Sequence, residues 1–293
     1  MAQLIVNADD FGLTAGVNRA IAELHQAGSL TSATLMARAE ATGDAIRIAL
    51  STPSLGVGCH IVLVDGEPVL PPDKIPTLIE PGTGRFRSSI GTFLIRLLAG
   101  RIRPSEIEAE AAAQIALLQS RGLRLTHIDT HKHAHMFPTV LRSVLRAARA
   151  AGINAVRNPF EPSWAIRATA GASLARVAEV TLLRYLQPIC RHIIAEEQFA
   201  TTEGTIAVVG TGVLNLSTAR SLLQKLPVAG AWELVTHPGY NDADLARVHT
   251  RLRESREVER QALSATLEFP ELKLISYRGL DPTAGATSAR TRA

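Results

Sequence analysis

Short apolar runs alternate along the chain with segments in which apolar residues recur at helical spacing. The first run covers residues 4–6, and a helix is predicted over residues 15–27. Two further helices are predicted, one opened by a capping box of Ser105 and Glu108 and one over residues 140–151. The other apolar runs predict strands over residues 33–36, 57–63, 125–130, 155–157, 205–209, 232–236 and 274–277.

Strands that alternate with helices are typical of an α/β fold with a parallel sheet and right-handed crossovers. About seven or eight such units fit within residues 1–280, which favours a single-domain (β/α) barrel, although the count alone does not exclude an open sheet. The length of 293 residues and the apolar fraction of 46% suit one folded domain of this kind. No glycine-rich nucleotide-binding fingerprint is present.

Three segments depart from the alternation of strands and helices. Residues 66–92 are rich in proline and glycine and predict a long surface loop, which is either a functional lid or a plain insertion. Residues 163–198 are apolar with interspersed arginines and predict a helical insertion that covers the barrel, contacts a second copy in a homodimer, or lies on a membrane. Residues 281–293 predict a disordered tail.

Composition narrows the classes of partner. The formal net charge is only +4 and aromatic residues make up 4%, so the basic stripe with interleaved aromatics of a nucleic-acid binder is absent. The two cysteines form no CxxC pair, which fits a reducing compartment. The first residues lack a basic stretch and a long apolar core, so we expect a cytoplasmic protein, with contact at the inner membrane face left open.

The richest cluster of chemical groups is HIDTHKHAH over residues 127–135. Alternate residues of a strand share a face, so His127, Asp129 and His131 are expected to point away from the packed helices, at the end of a barrel strand. Histidine is a common metal ligand, and carboxylates often orient it. The cluster therefore predicts a metal site; an exposed histidine-rich turn is the alternative.

Three other predicted strands end in polar groups. Asp9 and Asp10 follow the first strand, His60 lies in the third, and His237 opens the turn HPGY after a later one. Taken singly, these residues also fit a helix N-cap, a buried core histidine and a tight turn. A barrel brings its strand ends together, so the four ends are expected to meet. Two histidines and one carboxylate leave metal positions open for water and substrate.

Four stretches at these positions carry a resemblance to a known family. LIVNADDFGLT, VGCHIVLVDGEPVL, THIDTHKHAHMFP and VTHPGY, which span residues 4–240, resemble the YdjC/ChbG-like carbohydrate deacetylase family. VLVDGEPVLPP and VRNPFEP also resemble its hopanoid-biosynthesis branch. The resemblance implies a deformed (β/α) TIM-like barrel with one divalent metal ion, for which Mg, Zn, Mn and Co all suit the ligands.

The resemblance also implies roles for single residues. Asp10, His60 and His131 match the metal ligands, Asp9 matches the catalytic base, and His237 matches the proposed acid. By these matches the chain is expected to hydrolyse a metal-polarised acetamide, with the base taking the proton of water and the acid protonating the departing amine.

Further residues near these motifs are expected to contact substrate or support the ligands. Asp129 is predicted to support His131 or His127. Arg157 is predicted to contact sugar hydroxyls, to orient the base, or to pair at the surface. His133 and His135 belong to the same group of expected supporting residues. Lys132 is a departure, since related sequences can carry histidine there, but that position is no ligand in the family pattern.

The resulting functional prediction is a metal-dependent hydrolase that removes an N-acetyl group from an amino sugar, with a glucosaminyl-linked hopanoid lipid as the favoured substrate. Soluble chitooligosaccharides are the alternative substrate. Other classes stay open from the residues alone: a phosphoester hydrolase, an Fe(II) oxygenase with the same ligand types, and a non-enzymatic sugar or lipid binder that keeps the metal for structure.

Overall fold

A single parallel sheet forms the centre of the molecule. The structure is a computed structural model that describes residues 1–265 and 272–280. Almost every residue of the first strand is buried, because helices cover the outside of the sheet and side chains fill its inside. The strands are β1 (Ala2–Phe11), β2 (Ser32–Leu35), β3 (Gly56–Ile61), β4 (Ile128–Thr130), β5 (Gly204–Ile206), β6 (Ala231–Thr236) and β7 (Leu272–Leu274).

The strand order is β4-β3-β2-β1-β6-β5, and all pairs are parallel. Strand β1 is long enough for two partners on one edge, where it pairs with β7 at its start and with β2 at its end. Single bridges from Ile128 to Val156 and from Ala155 to Ala200 continue the curl beyond β4. The sheet is thus a curled half-barrel surrounded by helices, which confirms the predicted deformed barrel.

Helices connect the strands and cover the sheet. Helix α1 begins at a true side-chain cap, since Thr14 Oγ1 accepts the Val17 N–H at 3.2 Å. The helices are α1 (Ala15–Gln26), α2 (Thr42–Ser51), α3 (Ile90–Leu98), α4 (Pro104–Ser120), α5 (Pro138–Ala150), α6 (Ser163–Ala168), α7 (Leu174–Leu183), α8 (Gln187–Glu196), α9 (Leu216–Gln224), α10 (Ala243–Arg247) and α11 (Arg253–Ser264).

The predicted capping box of Ser105 and Glu108 is wrong. Helix α4 begins at Pro104, and its N-cap residue, Arg103, makes no side-chain capping bond. Proline suits the first helical position because it lacks the N–H that would be unpaired there. Glu108 instead accepts a hydrogen bond from Arg146 on α5 at 2.7 Å.

Several predicted strands are shorter in the structure. The run at 155–157 forms only single bridges. Strand β5 ends at Ile206 because Ala207 takes the left-handed φ of 71°. Tyr277 lies in a short 3-10 turn rather than in β7, and only the last three residues of the run at 125–130 form β4.

Residues 66–89 are not a free surface loop, as the sequence predicted. Ile75, Leu78 and Phe86 are buried in the main core. Glu110 of α4 accepts the N–H groups of Val69 at 2.8 Å and of the next residue at 3.0 Å. The segment is therefore a folded excursion that helix α4 fixes to the barrel.

The segment at 163–198 forms helices α6, α7 and α8, with a short 3-10 turn between the last two. The tail predicted at 281–293 lies outside the described residues. Among the helices that the structure describes, none combines the length and the apolar character that crossing a membrane requires.

Candidate metal centre

Three side chains from three strand ends converge on one point. Asp10 Oδ1 lies 3.4 Å from His60 Nε2 and 3.3 Å from His131 Nδ1, and the two ring nitrogens are 3.3 Å apart. Asp10 Oδ1 is buried, and no described residue donates a hydrogen bond to it. One carboxylate oxygen and two imidazole nitrogens at this spacing fit a single divalent cation with further positions open.

Two adjacent aspartates reach the same site because β1 is irregular at its end. The register of β1 against β2 shifts between Ala8 and Phe11, and Asp10 has the left-handed φ of 62°. In a regular strand, Asp9 and Asp10 would point to opposite faces. The bulge lets both carboxylates lie buried inside the barrel.

The ring of His60 is held by Asp129, whose Oδ1 lies 2.8 Å from His60 Nδ1. This contact directs Nε2 toward the other two ligand atoms. The expectation that Asp129 supports His131 or His127 is therefore wrong, since its histidine partner is on the neighbouring strand. Burial lowers the pKa of His60, but Asp129 and Asp10 outweigh it and raise the pKa to about 10. The site thus holds a positive charge at His60 when no cation replaces it.

His131 follows β4 directly and starts a turn of unusual backbone. Lys132 and His133 both have left-handed φ values, 55° and 52°. Lys132 Nζ contacts Asp65 Oδ2 at 2.6 Å, which ties the turn to the chain after β3. The alternative of an exposed histidine-rich turn is wrong, because only Lys132 is exposed in residues 131–136.

The remaining histidines of the motif lie outside the ligand set. His127 stacks on Tyr277 with ring centroids 3.7 Å apart. His135 Nδ1 lies 2.7 Å from Thr130 Oγ1, and its ring is 6.2 Å from that of His133. Burial holds the pKa of His127 near 3 and that of His135 near 4, so both rings are neutral at physiological pH.

Asp9 is bound by a buried arginine. Arg157 contacts both Asp9 oxygens, with Nη1 at 2.8 Å from Oδ2 and Nη2 at 2.6 Å from Oδ1. It also contacts Asp129 at 2.5 Å and Glu233 at 2.7 Å. Because Arg157 is fully buried, a surface pair or a contact with sugar hydroxyls is excluded, and its place beside Asp9 matches the expectation that it orients this carboxylate.

The charge of Arg157 determines the protonation of Asp9. Burial raises the pKa of the Asp9 carboxyl, but Arg157 outweighs it and holds that pKa well below its usual range. Asp9 and Asp129, with His60, form a second group spaced closely enough for a cation. Since Arg157 already donates to both carboxylates, we assign the cation to Asp10, His60 and His131.

His237 stands across from Asp9 at the end of β6. Its Nε2 lies 3.8 Å from Asp9 Oδ2, and its backbone N–H donates to Glu259 Oε2 at 2.6 Å. Burial lowers the pKa of His237 to about 4, although Asp9 and Asp10 act to raise it. The imidazole is therefore neutral at rest and needs a proton before it can act as an acid.

Helix α11 supplies two charged groups that the sequence reasoning missed. Arg256 Nη2 donates to Asp10 Oδ2 at 2.5 Å, and Glu259 receives the His237 N–H. Arg256 counteracts burial and lowers the pKa of Asp10. The signal was a charged pair at a spacing of three on the side of the helix that also buries Ala262 and Leu263.

Glu233 is the third residue that the sequence reasoning missed. It lies fully buried in the apolar strand AWELVT and accepts hydrogen bonds from Tyr277 at 2.6 Å and Thr205 at 3.0 Å. In all, more buried carboxylates than guanidinium groups surround the site, and a bound cation would offset that excess: the carboxylates are Asp9, Asp10, Asp129, Glu233 and Glu259, and the guanidinium groups are Arg157 and Arg256.

Comparison with known proteins agrees with this geometry. Residues 3–271 match the model of a family described as YdjC-like protein. The chain belongs to the YdjC-like family. All of the site residues named above lie inside the matched range.

Curated relatives of this YdjC-like chain are named as deacetylases. A carbohydrate deacetylase of Brevibacillus brevis is 44% identical over 146 residues, which are 50% of this chain and 55% of that protein. A chitooligosaccharide deacetylase of Salmonella schwarzengrund is 38% identical over 51% of this chain and 57% of its own length. A carbohydrate deacetylase of Thermoanaerobacter pseudethanolicus is 29% identical over 90% of this chain and 91% of its own. The chain thus spans little more than half the length of several relatives it matches.

A solved structure has the same fold as this YdjC-like chain. It is a crystal structure from Enterococcus faecalis, described as a candidate cellobiose-phosphate cleavage protein. The two chains are 25% identical with a TM-score of 0.71, and the match covers 94% of this chain and 97% of the other. The curled parallel sheet is therefore shared along nearly the whole of both chains.

Proposed function

We propose that this chain is a carbohydrate N-deacetylase that depends on a divalent metal and hydrolyses the acetamide of an amino sugar to an amine and acetate. The observation that carries the proposal is the convergence of Asp10, His60 and His131 beside the pair Asp9 and His237. The names of the relatives support the substrate class.

Asp10 Oδ1, His60 Nε2 and His131 Nδ1 are the atoms that would hold the metal. When bound, a divalent cation supplies Lewis acidity, which polarises the acetamide carbonyl and lowers the pKa of water. Arg256 takes the other oxygen of Asp10 and leaves Oδ1 directed at the two rings. Asp129 fixes the orientation of the His60 ring in the same way.

Asp9 is the group that accepts the proton of the attacking water, through its Oδ2 atom. Oδ1 already accepts hydrogen bonds from Asn7, Thr34 and Arg157, whereas Oδ2 accepts only one, from Arg157. Oδ2 is also the oxygen that faces His237. Its low pKa makes Asp9 a weak base, which suits a water whose own pKa is lowered.

His237 protonates the amine that leaves when the C–N bond breaks. Its pKa of about 4 means that the ring is neutral at first, so the proton has to come from the reaction itself. The 3.8 Å between His237 Nε2 and Asp9 Oδ2 allows the proton taken from water to pass to the imidazole. One water then provides both the hydroxyl on the acetate carbon and the proton on the amine, so the atoms balance.

The finer substrate proposal is an N-acetylglucosaminyl hopanoid lipid. The stretches VLVDGEPVLPP and VRNPFEP support it by resemblance, and both lie near the site. Asp65 of the first contacts Lys132 in the turn after β4, and Arg157 of the second holds Asp9. Chitooligosaccharides are the second substrate, supported by the name of the Salmonella relative.

The test is mass spectrometry of acetyl loss from acetylglucosaminyl hopanoid and from chitooligosaccharides. The chain is first stripped with a chelator and then loaded separately with Zn, Mg, Mn or Co. We expect loss of one acetyl mass with metal and none after stripping. Activity on the soluble sugar alone would leave the deacetylase and remove the hopanoid assignment.

Two controls separate the proposal from its rivals. Asp9→Asn should bind metal like the unchanged chain and lose turnover, because it removes the proton acceptor and keeps the ligands. Asp65→Asn, a change in an exposed ion pair, should keep both. Full turnover in Asp9→Asn with metal bound would contradict the mechanism, and binding of sugar without acetyl loss would indicate a binding protein instead.

A further inference from the structure

An apolar ridge, defined here as Leu174, Leu182, Tyr185 and Ile189, runs along the outside of α7 and α8. These side chains are 88%, 67%, 82% and 49% exposed. The backbone stays in the right-handed helical region through the 3-10 turn between the two helices. Spacings of eight, three and four residues return to one side of such a helix, so the four side chains form one continuous stripe.

The ridge is not needed to hold the helices on the barrel. Their opposite side is packed, with Val180, Cys190 and Ile193 buried. Apolar surface costs free energy in water, and monomeric proteins rarely line up this many large apolar side chains without a partner. The stripe is therefore available to bind something outside the chain.

The ridge lies on the face of the barrel that carries the site. Val180 of α7 packs with Val208, after β5, and with Val235, two residues before His237. Cys190 Sγ of α8 donates to the carbonyl of Met136, in the turn that His131 begins, at 3.2 Å. Whatever binds the ridge is held beside the opening through which substrate must reach the metal ligands.

The charge of the segment indicates the kind of partner. Residues 163–195 contain four arginines and a single acid, Glu179, which pairs with Arg176 at 2.9 Å. Arg176 and Arg184 are half-buried beside the ridge. An apolar stripe bordered by arginines is the pattern of a helix that lies in the interface of an anionic lipid bilayer.

We propose that the ridge docks the protein on an anionic bilayer surface, with α7 and α8 in the plane of the headgroups. A second copy of the chain fits less well, because one convex helix of roughly 24 Å offers too few side chains for the ~800 Å² that each partner of a stable dimer buries. Docking itself does not depend on the reaction. Only its consequence, delivery of a lipid-linked sugar to the site, rests on the proposed function.

The test is flotation of the full chain with vesicles of phosphatidylcholine containing about 30 mol% phosphatidylglycerol. We expect the unchanged chain to float, and Leu182→Glu and Tyr185→Glu each to weaken partitioning by about tenfold or more. Leu98→Glu is the matched control, since Leu98 is 76% exposed on α3, far from the ridge in sequence. It should float like the unchanged chain.

Salt and oligomeric state complete the test. Raising the salt to about 1 M should release part of the bound chain by screening the arginines. Failure of the unchanged chain to float, or equal loss in Leu98→Glu, would overturn the proposal. So would a dimer in light scattering that Leu182→Glu dissociates while no vesicle binds. Flotation needs no turnover, and all variants should deacetylate soluble sugar equally, so failure of docking is distinguishable from failure of the proposed reaction.

Discussion

Arg157 is the group whose removal should change the protein most, and Arg157→Met tests this. The guanidinium is fully buried and contacts Asp9, Asp129 and Glu233 at 2.5–2.9 Å. Methionine keeps the apolar stem and removes every one of these contacts. Glu233 retains the hydroxyl groups of its neighbours, but Asp9 and Asp129 lose their opposing charge in a site from which water is excluded.

Removing one partner of a buried ion pair costs about 3–5 kcal/mol, because the remaining charge stays buried without compensation. For a chain of this size, one kcal/mol corresponds to roughly 2–4 °C in melting temperature, so we expect a drop of about 6–20 °C. The melting curve is measured by circular dichroism at pH 8 with chelator present, since bound metal would add its own stabilisation.

The pH dependence follows from the carboxylates. In the unchanged chain, Arg157 outweighs burial and lowers the pKa of Asp9 and Asp129, so these groups stabilise the fold above the unfolded-state pKa of 3.8 and lose that contribution as the pH falls below it. In Arg157→Met, burial acts with little opposition and raises both pKa values. The deficit should therefore be largest at neutral and alkaline pH and should narrow as the pH falls toward about 5.

The matched control is Arg146→Met, which removes a half-exposed arginine from its pair with Glu108. A surface pair contributes at most about 1 kcal/mol, so its melting temperature should change by no more than a few degrees. The reasoning is refuted if Arg157→Met melts within about 2 °C of the unchanged chain at pH 8, or if its deficit grows on acidification.

Three further predictions concern the metal and the proton path. Asp129→Asn should weaken metal binding in titration calorimetry by about 10–100-fold, because it removes the carboxylate that orients the metal ligand His60, whereas Asp65→Asn should not; equal affinities would contradict this. Glu259→Ala should lower kcat by up to about 100-fold with unchanged metal affinity, because the His237 turn loses its anchor; a loss confined to KM would count against it. Metal at a hundredfold excess over its Kd should add about 2.7 kcal/mol of stability, and Asp10→Asn should abolish the shift in melting temperature, whereas retention of the shift would place the metal elsewhere.

The alternation of apolar runs and helical segments was sufficient to predict the class of fold. Side-chain periodicity reports directly which elements are covered on both faces, and buried parallel strands such as β1 and β6 appear as continuous apolar runs. Element ends were less accessible. Pro104 displaced the predicted cap, and the left-handed φ of Ala207 ended β5 early, because local backbone conformation depends on contacts that the pattern does not encode.

The site was partly accessible for a similar reason. Asp9, Asp10, His60, His131 and His237 all end or follow strands, and because the ends of parallel strands meet, residue order alone predicts that these side chains lie together. Their pairing was not accessible. Asp129 lies two residues before His131 in sequence, yet its partner is His60, because neighbouring strands lie closer than alternate residues of one strand.

By itself, the sequence determined the parallel α/β architecture and the set of polar groups at its strand ends, since both follow from residue order and side-chain period. Only the tertiary structure decided how the charges pair. Arg157 is fully buried between Asp9, Asp129 and Glu233, and α11 brings Arg256 and Glu259 to the site from more than 240 residues along the chain from Asp10. Electrostatic interactions act through space, so residues distant in sequence set the protonation of Asp9, Asp10 and His237.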